Sequence, residues 1–463
     1  MTPYILSIDV GTSSMKAGAI SPAGHLLAFA GRRLIRQERQ IHDWHAQGWD
    51  RALSLLMEEL VDYSRPECIV ISGNGPTLVG LDGKGAPLEP VLLWLDGRER
   101  PVEGNRSFFL PRLNWLRQER PDVFDRLETV LSFPEYLYHR ITGEGVTITP
   151  SDEFCEFIWS DREIERYGFE ATLFPPYRRP GELVGRVSKE GAERFGLAEG
   201  TPLAAGGSDF LMSLVGTGSV VPGRTCDRAG TSEGINHCAE APSTDPRLRS
   251  LPHAVEGLYN VAGILSSTGM LFEWFRGISG QEGRDYVEMI RELQAHAHES
   301  DIPWFFPSLH QGAAWEFRRG MFIELGAQHG RVEMGLAVVL SIGFAVREAV
   351  EILGENGLEP CELRACGGQA KNAPWNQMKA DIVGLPILVP EVEDAELIGN
   401  ACAGYTALGH FASLKEASEA LVHISRRYEP REAEYSRYCE AYGSYRDAYD
   451  RFRGALAATR KGE

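Results

Sequence analysis

The stretch 4–16, YILSIDVGTSSMK, constrains the fold more than any other part of the chain. An apolar, β-branched run ends at Asp9, a glycine and three hydroxyl residues follow, and apolar alternation resumes from Lys16. This order predicts two strands joined by a polar turn. The amides and hydroxyls of such a turn suit phosphate oxygens, and Asp9 is placed to hold a metal ion through water. An ordinary tight hairpin with a solvated aspartate explains the same residues, so a functional interpretation needs the rest of the chain.

A second turn of the same composition lies far down the chain. Residues 225–236 read TCDRAGTSEGIN, in which Gly-Thr-Ser recurs between short apolar stretches. Two turns of this type predict one phosphate site built from two distant segments. A three-residue match also arises by chance in a chain with 50 glycines, so the repeat needs support from other motifs.

Length and charge exclude several classes of protein. The 463 residues are 43% hydrophobic, enough for large cores and for several domains at about 100–200 residues each. The sequence contains no apolar run of membrane-spanning length and no signal-peptide pattern, so we expect a cytoplasmic protein with no membrane partner. The net charge of −18 argues against a nucleic-acid partner. The eight cysteines form no CxxC pair, which favours reduced thiols over a disulfide framework or a zinc site.

The remaining patterns alternate between strand and helix periodicity. We predict that strand 78–81 pairs with strand 68–72, that 241–251 is an interdomain linker, and that 431–459 is a surface helix. The other predicted strands are 91–95, 203–206, 261–265 and 362–365, and the other predicted helices are 49–63, 110–117, 136–141, 269–275, 333–353, 375–383 and 396–408.

Four motifs in this order resemble the FGGY family of carbohydrate kinases. They are DVGTSSMK at 9–16, WLDGR at 94–98 after the turn SGNGPT, GGSDF at 206–210 followed by AGTSEG at 229–234, and CGGQAKNAPWNQMKADIVGLPI at 366–387 followed by AELIGNACAGYTALG. The resemblance implies an α/β fold of two actin-like, ribonuclease H-like ATPase domains flanking a central cleft. We expect the domains to be 1–243, mainly for sugar, and 244–463, mainly for adenosine.

The resemblance also implies the roles of individual residues. Asp209 falls at the position of the family's catalytic base, although its local sequence fits a helix N-terminus equally well. ATP and Mg²⁺ are the expected cofactors, with Asp9 positioning the metal. The remaining expected contacts are Thr12, Ser13, Lys16, Gly230, Thr231 and Ser232 for phosphate; Gly367, Gly368, Lys371 and Asn372 for adenosine; and Asn74, Pro76, Thr77, Asp96, Arg98 and Asp209 for the sugar.

Some positions depart from the family pattern. Gln369 replaces a common glycine, His310–Ala313 replaces Gly-Glu-Arg, and the turn Gly75-Pro76 lacks the substrate-recognition pairs of xylulokinases and glycerol kinases. Pairing of Asp96 with Arg98 alone would also leave the sugar without those contacts. We therefore expect an atypical kinase for a small ketose or polyol, with a weakly catalytic sugar- and ATP-binding regulator as the alternative. The resemblance also raises the expectation of a homodimer.

Overall fold

The computed structural model of the protein describes residues 3–11, 14–34, 44–94, 96–297, 301–308 and 315–460. The chain forms two compact units, each discontinuous in sequence. Unit 1 contains Met1–Val220, Pro252–Gly257 and Asp394–His423, and unit 2 contains Val221–Leu251, Leu258–Glu393 and Ile424–Glu463. The two units alternate along the chain, whereas the predicted domains 1–243 and 244–463 are each continuous. The predicted division stays a prediction.

The described strands, in chain order, are β1 (Ile5–Val10), β2 (Ser14–Ile20), β3 (Leu26–Arg33), β4 (Cys68–Gly73), β5 (Leu78–Leu81), β6 (Pro87–Leu92), β7 (Thr129–Ser132), β8 (Thr147–Ile148), β9 (Tyr177–Arg178), β10 (Leu183–Arg186), β11 (Pro202–Ser208), β12 (Thr225–Ala229), β13 (Glu233–Ala239), β14 (Arg249–Pro252), β15 (Tyr259–Leu265), β16 (Trp304–Phe306), β17 (Met321–Ile323), β18 (Leu363–Cys366), β19 (Ile387–Pro390) and β20 (Ile424–Tyr428).

The described α-helices are α1 (Gln47–Glu59), α2 (Leu110–Glu119), α3 (Pro121–Phe124), α4 (Phe133–Thr142), α5 (Asp161–Tyr167), α6 (Lys189–Phe195), α7 (Asp209–Gly216), α8 (Thr268–Ile278), α9 (Tyr286–Ala295), α10 (Arg331–Glu355), α11 (Ala373–Val383), α12 (Ala395–Ala407), α13 (Leu414–Leu421) and α14 (Glu432–Arg460). Within the described part of the chain, no helix combines the length and apolar character needed to cross a membrane.

The large sheets of the two units share one strand order. In unit 1, β3, β2 and β1 are antiparallel neighbours, and β1, β4 and β11 follow as parallel neighbours. In unit 2, β15, β13 and β12 are antiparallel neighbours, and β12, β18 and β19 follow in parallel. The hairpins β1–β2 and β12–β13, which carry the two Gly-Thr-Ser sequences, therefore hold corresponding places in the two sheets.

Helix α12 is placed against the sheet of unit 1 by polar contacts as well as by apolar packing. Asn400 donates from Nδ2 to the carbonyl O of Ile8 (3.0 Å) and to Ser72 Oγ (2.9 Å), and Tyr405 donates to the carbonyl O of Ile20 (2.9 Å). If these buried backbone and hydroxyl groups had no hydrogen-bond partner, the folded state would be less stable. The contacts fix the middle and the C-terminal half of α12 relative to β1, β4 and β2.

Helix α7 crosses α12 at backbone contact. A Cβ added to Gly216 of α7 would overlap the carbonyl O of Ala395, and one added to Gly399 of α12 would overlap the carbonyl O of Met212. Only glycine allows two helix backbones to approach this closely. The crossing fixes α7 through the small residues of α12, which corresponds to the predicted helix 396–408.

Three structural predictions from the sequence are wrong. Strand β5 pairs with β6 and β7 rather than with β4, because both edges of β4 are already occupied by β1 and β11. The predicted linker 241–251 belongs to unit 2 and ends in β14, where Arg247 forms ion pairs with Asp245 and Glu355. Helix α14 is only partly a surface helix.

The buried face of α14 is a stripe of tyrosines. Tyr438, Tyr442 and Tyr445 are buried in the core of unit 2. Tyr445 donates to the carbonyl O of Phe305 (3.2 Å), and the ring of Tyr442 lies 5.3 Å from that of Phe344. The rings bury a large apolar area while each hydroxyl keeps a polar partner. The many charged residues of this segment favour a surface helix, whereas the spacing of these tyrosines, four and three residues apart, is the signal for a buried face.

Candidate active site

The first hairpin forms as predicted. Its register pairs Asp9 with Lys16 across β1 and β2, and the amide of Gly11 donates to the carbonyl O of Ser14 (2.9 Å). Thr12 and Ser13, two of the predicted phosphate-binding residues, lie outside the described residues. The hairpin therefore places Asp9 and Lys16 beside the turn, and the binding of phosphate by this turn stays a prediction.

Three predicted site residues follow or end parallel strands at one edge of the unit 1 sheet. The register aligns Asp9 of β1 with Ser72 of β4, and Gly73 of β4 with Ser208 of β11. Asn74 therefore follows β4 and Asp209 follows β11 at one edge of the sheet, where Asp9 is the last residue but one of β1. The carboxyl ends of neighbouring parallel strands are the usual place for ligands in α/β sheets. The structure thus brings Asp9, Asn74 and Asp209 to one region of unit 1.

Asp9 is a buried carboxyl group in a negatively charged environment. Its side chain accepts a hydrogen bond from Ser72 Oγ (2.8 Å). Burial raises the pKa of Asp9 to about 8, with further increases from Glu396 and Asp209 and opposing effects of Lys16 and Ser72. A cation bound here would offset this repulsion and favour the ionised carboxylate.

The surroundings of Asp9 bear on how a metal ion would bind. Among the described residues, no group of three or more His, Cys, Asp or Glu side chains is placed to hold a metal ion by itself. Mg²⁺ usually keeps several waters and binds through one or two carboxylates together with substrate phosphates. A single buried carboxylate at a sheet edge is compatible with that mode of binding.

Lys16 forms an ion pair with a residue from α12's N-terminus. Its Nζ lies 2.6 Å from Asp394 Oδ1. Burial alone would lower the pKa of Lys16, but the carboxylates of Asp394, Glu396 and Asp9 raise it above its ordinary value. Lys16 is therefore a permanently charged cation within an acidic cluster. Sequence reasoning missed Asp394 and Glu396, whose only local signal is that they precede and begin an Ala- and Gly-rich helix.

Asp209 begins α7 directly after β11. Its Oδ1 accepts a hydrogen bond from the amide of Phe210 (2.7 Å), whereas the preceding Ser208 makes no side-chain capping bond. One turn later, Ser213 Oγ donates to the carbonyl O of Asp209 and to Glu396 Oε1, both at 2.9 Å. The helix-terminal role that the local sequence indicates is thus present. The catalytic role of Asp209 stays a prediction.

The predicted sugar-binding segments contact each other in unit 1. Thr77 Oγ1 donates to Asn74 Oδ1 (3.3 Å) and accepts from the amide of Trp94 (3.2 Å), which connects the turn 73–77 to the segment 94–98. Asn74 and Thr77 are buried and Pro76 is half-buried. These contacts hold the two segments together, and their binding of a sugar stays a prediction.

Asp96 and Arg98 pair with each other, as the alternative interpretation of these residues expected. Arg98 Nε lies 2.9 Å from both carboxylate oxygens of Asp96, and its amide donates to Asp96 Oδ1 (2.9 Å). Asp96 is buried, whereas the Arg98 side chain is 24% exposed. The guanidinium also lies 5.0 Å from the ring of Trp115. The binding of sugar by this pair stays a prediction.

In unit 2 the second Gly-Thr-Ser sequence forms an exposed turn between β12 and β13. Gly230, Thr231 and Ser232 are exposed, and the amide of Gly230 donates to the carbonyl O of Ser232 (2.8 Å). The amide of Met270 donates to the carbonyl O of Thr231 (3.2 Å), which holds the turn against the start of α8. The start of α8 therefore holds the turn in place, while the residues of the turn stay exposed to solvent.

The glycine turn after β18 lies beside the same hairpin. Gly367 has a positive φ of 85°, and a Cβ there would lie 2.6 Å from the carbonyl O of Ala229. Gly368–Lys371 forms one short 3₁₀ turn, after which Asn372 caps α11 by accepting from the amide of Trp375 (3.1 Å). Asn372 also donates to the carbonyl O of Tyr286 (3.1 Å). Both predicted nucleotide loops of unit 2 are thus adjacent, and Asn372 has a structural role.

The two large sheets of equal strand order, each carrying a Gly-Thr-Ser hairpin, define the class of protein as an actin-like ATPase fold with two α/β domains. The chain belongs to the FGGY family of carbohydrate kinases, which transfer phosphate to an alcohol group. The model of the family's N-terminal domain matches residues 4–105 and 104–216, and that of its C-terminal domain matches 228–408. The family predicted from four sequence motifs is confirmed.

Individual relatives are distant. The chain is 24% identical to xylulose kinase of Bacillus subtilis, with 96% of each chain covered. It is 27% identical to autoinducer-2 kinase of Escherichia coli K12, over 73% of this chain and 68% of the relative. The crystal structure of gluconate kinase from Lactobacillus acidophilus matches with a TM-score of 0.83 at 20% identity, covering 99% of this chain and all of that one (100%). That structural likeness establishes the shared fold.

Proposed function

We propose that this protein is an ATP- and Mg²⁺-dependent kinase that transfers the γ-phosphate of ATP to a hydroxyl of a small ketose or polyol. The observation that carries the proposal is the placement of Asp9, Asn74 and Asp209 at one edge of the unit 1 sheet. The relatives are a xylulose kinase and an autoinducer-2 kinase, which supports a small polyhydroxylated substrate. Because both are kinases, the regulator alternative is not favoured.

Asp209 is the proposed general base. Its carboxylate accepts the proton of the attacking hydroxyl while the substrate oxygen forms a bond to the γ-phosphorus. The bond between that phosphorus and the oxygen bridging to the β-phosphate breaks, and ADP leaves with the electron pair. Such a transfer depends on alignment and charge neutralisation more than on covalent catalysis. The N-terminus of α7 holds Asp209 in place for this step.

The nucleotide is proposed to bind through the residues that the resemblance to the family indicates. Lys16, Thr12 and Ser13, with the turn 230–232, contact the phosphates, and Gly367, Gly368, Lys371 and Asn372 contact adenosine. Asp9 would hold Mg²⁺ through water, and the metal would supply charge neutralisation for the phosphates. In this chain, the raised pKa of Asp9 provides the physical reason for a cation at that position.

The sugar is proposed to contact Asn74, Pro76, Thr77, Asp96 and Arg98 together with Asp209. Amides, carboxylates and guanidinium groups are the usual partners of hydroxyl-rich ligands. The Arg98 side chain is 24% exposed beside the buried Asp96, which leaves this ion pair within reach of a ligand.

A coupled assay of ADP release tests the proposal. Mg·ATP is offered with a panel of pentuloses, hexuloses, deoxyketoses and polyols, and the Asp209→Asn variant serves as the control. We expect release that depends on one class of substrate and disappears in the variant. ATP binding without stimulation by any compound would favour the regulator instead.

A further inference from the structure

Two carboxyl groups are buried directly beneath the exposed turn 230–232. Asp227 lies on β12, and Glu233 begins β13 immediately after Ser232. The register pairs Ala229 with Glu233 and Asp227 with Ile235, which makes Asp227 and Glu233 diagonal neighbours on one face of the hairpin. Both side chains are fully buried. The hairpin that carries the turn therefore has two buried carboxyl groups beneath that turn.

Lys379 of α11 bridges these two carboxyl groups. Its Nζ lies 2.5 Å from Asp227 Oδ2 and 2.7 Å from Glu233 Oε1, and its side chain is 1% exposed. The second oxygens, Asp227 Oδ1 and Glu233 Oε2, have no hydrogen-bond partner within the described residues. Lys379, Asp227 and Glu233 form a charged triad. Burial of each ion costs several kcal/mol, about as much as the pairing returns, so the triad adds little to the free energy of unfolding. What it does is connect α11 to the hairpin β12–β13.

Trp375 of the same helix supports a second contact with the turn, which Gln369 of the preceding 3₁₀ turn makes. Gln369 donates from Nε2 to the carbonyl O of Gly230 (3.3 Å) and accepts at Oε1 from Trp375 Nε1 (3.0 Å). Trp375 and Lys379 are one helical turn apart on α11, and Lys379 Nζ lies 5.3 Å from the Trp375 ring. Helix α11 thus holds the Gly230 end of the turn through Gln369 and the Glu233 end through Lys379.

We propose that Lys379, acting through Asp227 and Glu233, is a positioning residue that fixes the turn 230–232 for the phosphates of an adenine nucleotide. This inference rests on the proposed kinase function. A turn that is held at both ends presents its amides and hydroxyls without reorganisation when phosphate binds. None of the three charged side chains touches the nucleotide, because all three are buried beneath the exposed turn.

The charge of the triad is expected to make the binding of phosphate at the turn depend on pH. The titratable groups that face Glu233 are Asp227 of β12 and Lys379 of α11, and its neighbour on β15 is the apolar Leu265. Burial raises the pKa of Glu233 to about 8, with Lys379 opposing and Asp227 adding to the increase. With its proton on Glu233 the triad is neutral. Loss of that proton leaves a net negative charge beneath the turn, which opposes bound phosphate.

Calorimetric titration with ADP and with adenosine tests the inference. The triple variant Asp227→Asn, Glu233→Gln, Lys379→Met removes the ionic contacts without leaving an unpaired buried charge. We expect its Kd for ADP to rise about tenfold, the effect of losing one hydrogen bond between the displaced turn and a charged phosphate oxygen. The Kd for adenosine, which has no phosphate, is expected to be unchanged.

A second variant keeps the test valid if the triple variant does not fold. Glu233→Gln retains the ion pair of Lys379 with Asp227 and removes the titrating group. Asp9 titrates in the same range, so we expect the affinity for ADP to fall more steeply above about pH 8 in the wild type than in Glu233→Gln, where only Asp9 still titrates. The same pH curve for both proteins would contradict the inference.

Asp381→Asn is the matched control, because it breaks another ion pair on α11. Asp381 is buried and pairs with Arg431 at 2.6 Å, and neither residue contacts the turn. We expect the control to lose stability and keep its ADP affinity. If the wild type binds ADP and the folded triple variant binds it equally, the inference fails while the kinase function stands. A wild type that binds no adenine nucleotide would overturn both.

Discussion

Lys16 Nζ lies 2.6 Å from Asp394 Oδ1, although 378 residues separate the two in sequence. The residue predicted to bind phosphate is therefore held by a carboxylate that the N-terminus of α12 supplies. Asp9 and Glu396 add to the negative charge around it. A cation in this setting is fixed in place before any phosphate arrives, which lowers the ordering cost of binding.

Replacement of Lys16 tests its role in phosphate binding. We expect Lys16→Met to raise the KM for ATP about tenfold, because a charge-assisted contact is worth about 1.5–3 kcal/mol. Steady-state kinetics at saturating sugar would measure the effect. The variant also removes the ion pair between Lys16 and Asp394, so Lys16→Met with Asp394→Asn is the control for stability. A KM for ATP equal to that of the wild type in both variants would contradict phosphate binding by Lys16.

Replacement of Asp209 tests its role as general base. Asp209→Asn keeps the size of the side chain and the acceptor for the Phe210 amide. Loss of a positioned base typically costs about 10²–10⁴ in rate, and we expect a fall of that size in kcat with an unchanged melting temperature. Ser208→Ala at the preceding N-cap is the matched control. If Asp209 serves only the helix terminus, Asp209→Asn will retain near-normal turnover.

The crossing of α7 and α12 predicts a steric requirement at Gly216. A Cβ there overlaps the backbone of Ala395, so Gly216→Ala must push the helices apart. We expect a loss of about 1–3 kcal/mol or more in the free energy of unfolding. We also expect lower kcat, because α7 carries Asp209. Denaturant unfolding and turnover of the same samples would measure both.

Gly443→Ala is the control for this substitution. Gly443 is an exposed helical glycine of α14 with open space around its Cα, so we expect alanine there to be neutral or stabilising by up to about 1 kcal/mol. Equal unfolding free energies for Gly216→Ala and the wild type would refute the close crossing.

The buried Glu135 predicts a pH dependence of stability. It lies on α4, where its Oε1 accepts from the amide of Ile148 (3.0 Å) and its Oε2 has no hydrogen-bond partner within the described residues. Burial raises the pKa of Glu135 from 4.5 to about 7. The folded state thus favours the protonated form. The stability that this preference contributes is present below about pH 4.5 and is lost as the pH rises through about 7.

Glu135→Gln stays neutral at every pH and keeps the acceptor for Ile148. We expect it to exceed the wild type in stability above about pH 7, by on the order of 1–3 kcal/mol, and to match it in acid. Thermal melting of both proteins across this range would show a difference that grows with pH. The exposed Glu58→Gln is the control. A constant difference would rule out titration of Glu135.

Much of the fold was predictable because its signals are local. The β1–β2 hairpin, the helix 110–117 and the glycine turn before α11 were identified from alternation, helical spacing and glycine positions within a few residues of each other. The pairing of β5 was not predictable, because it depends on β1 and β11 having already occupied the edges of β4. The same limit applies to 241–251, where Arg247 pairs with Glu355 of α10.

The sequence by itself determined the family, the two phosphate-type turns and three residues, Asp9, Asn74 and Asp209, that lie at one sheet edge. Only the tertiary structure decided which charges meet. Lys16 pairs with Asp394, and Lys379 pairs with Asp227 and Glu233, across 378, 152 and 146 residues of chain. Strand and turn patterns are set by neighbouring residues, whereas ion pairs form wherever the folded backbone brings opposite charges within a few ångströms. A local sequence pattern does not show which distant residues the fold brings together.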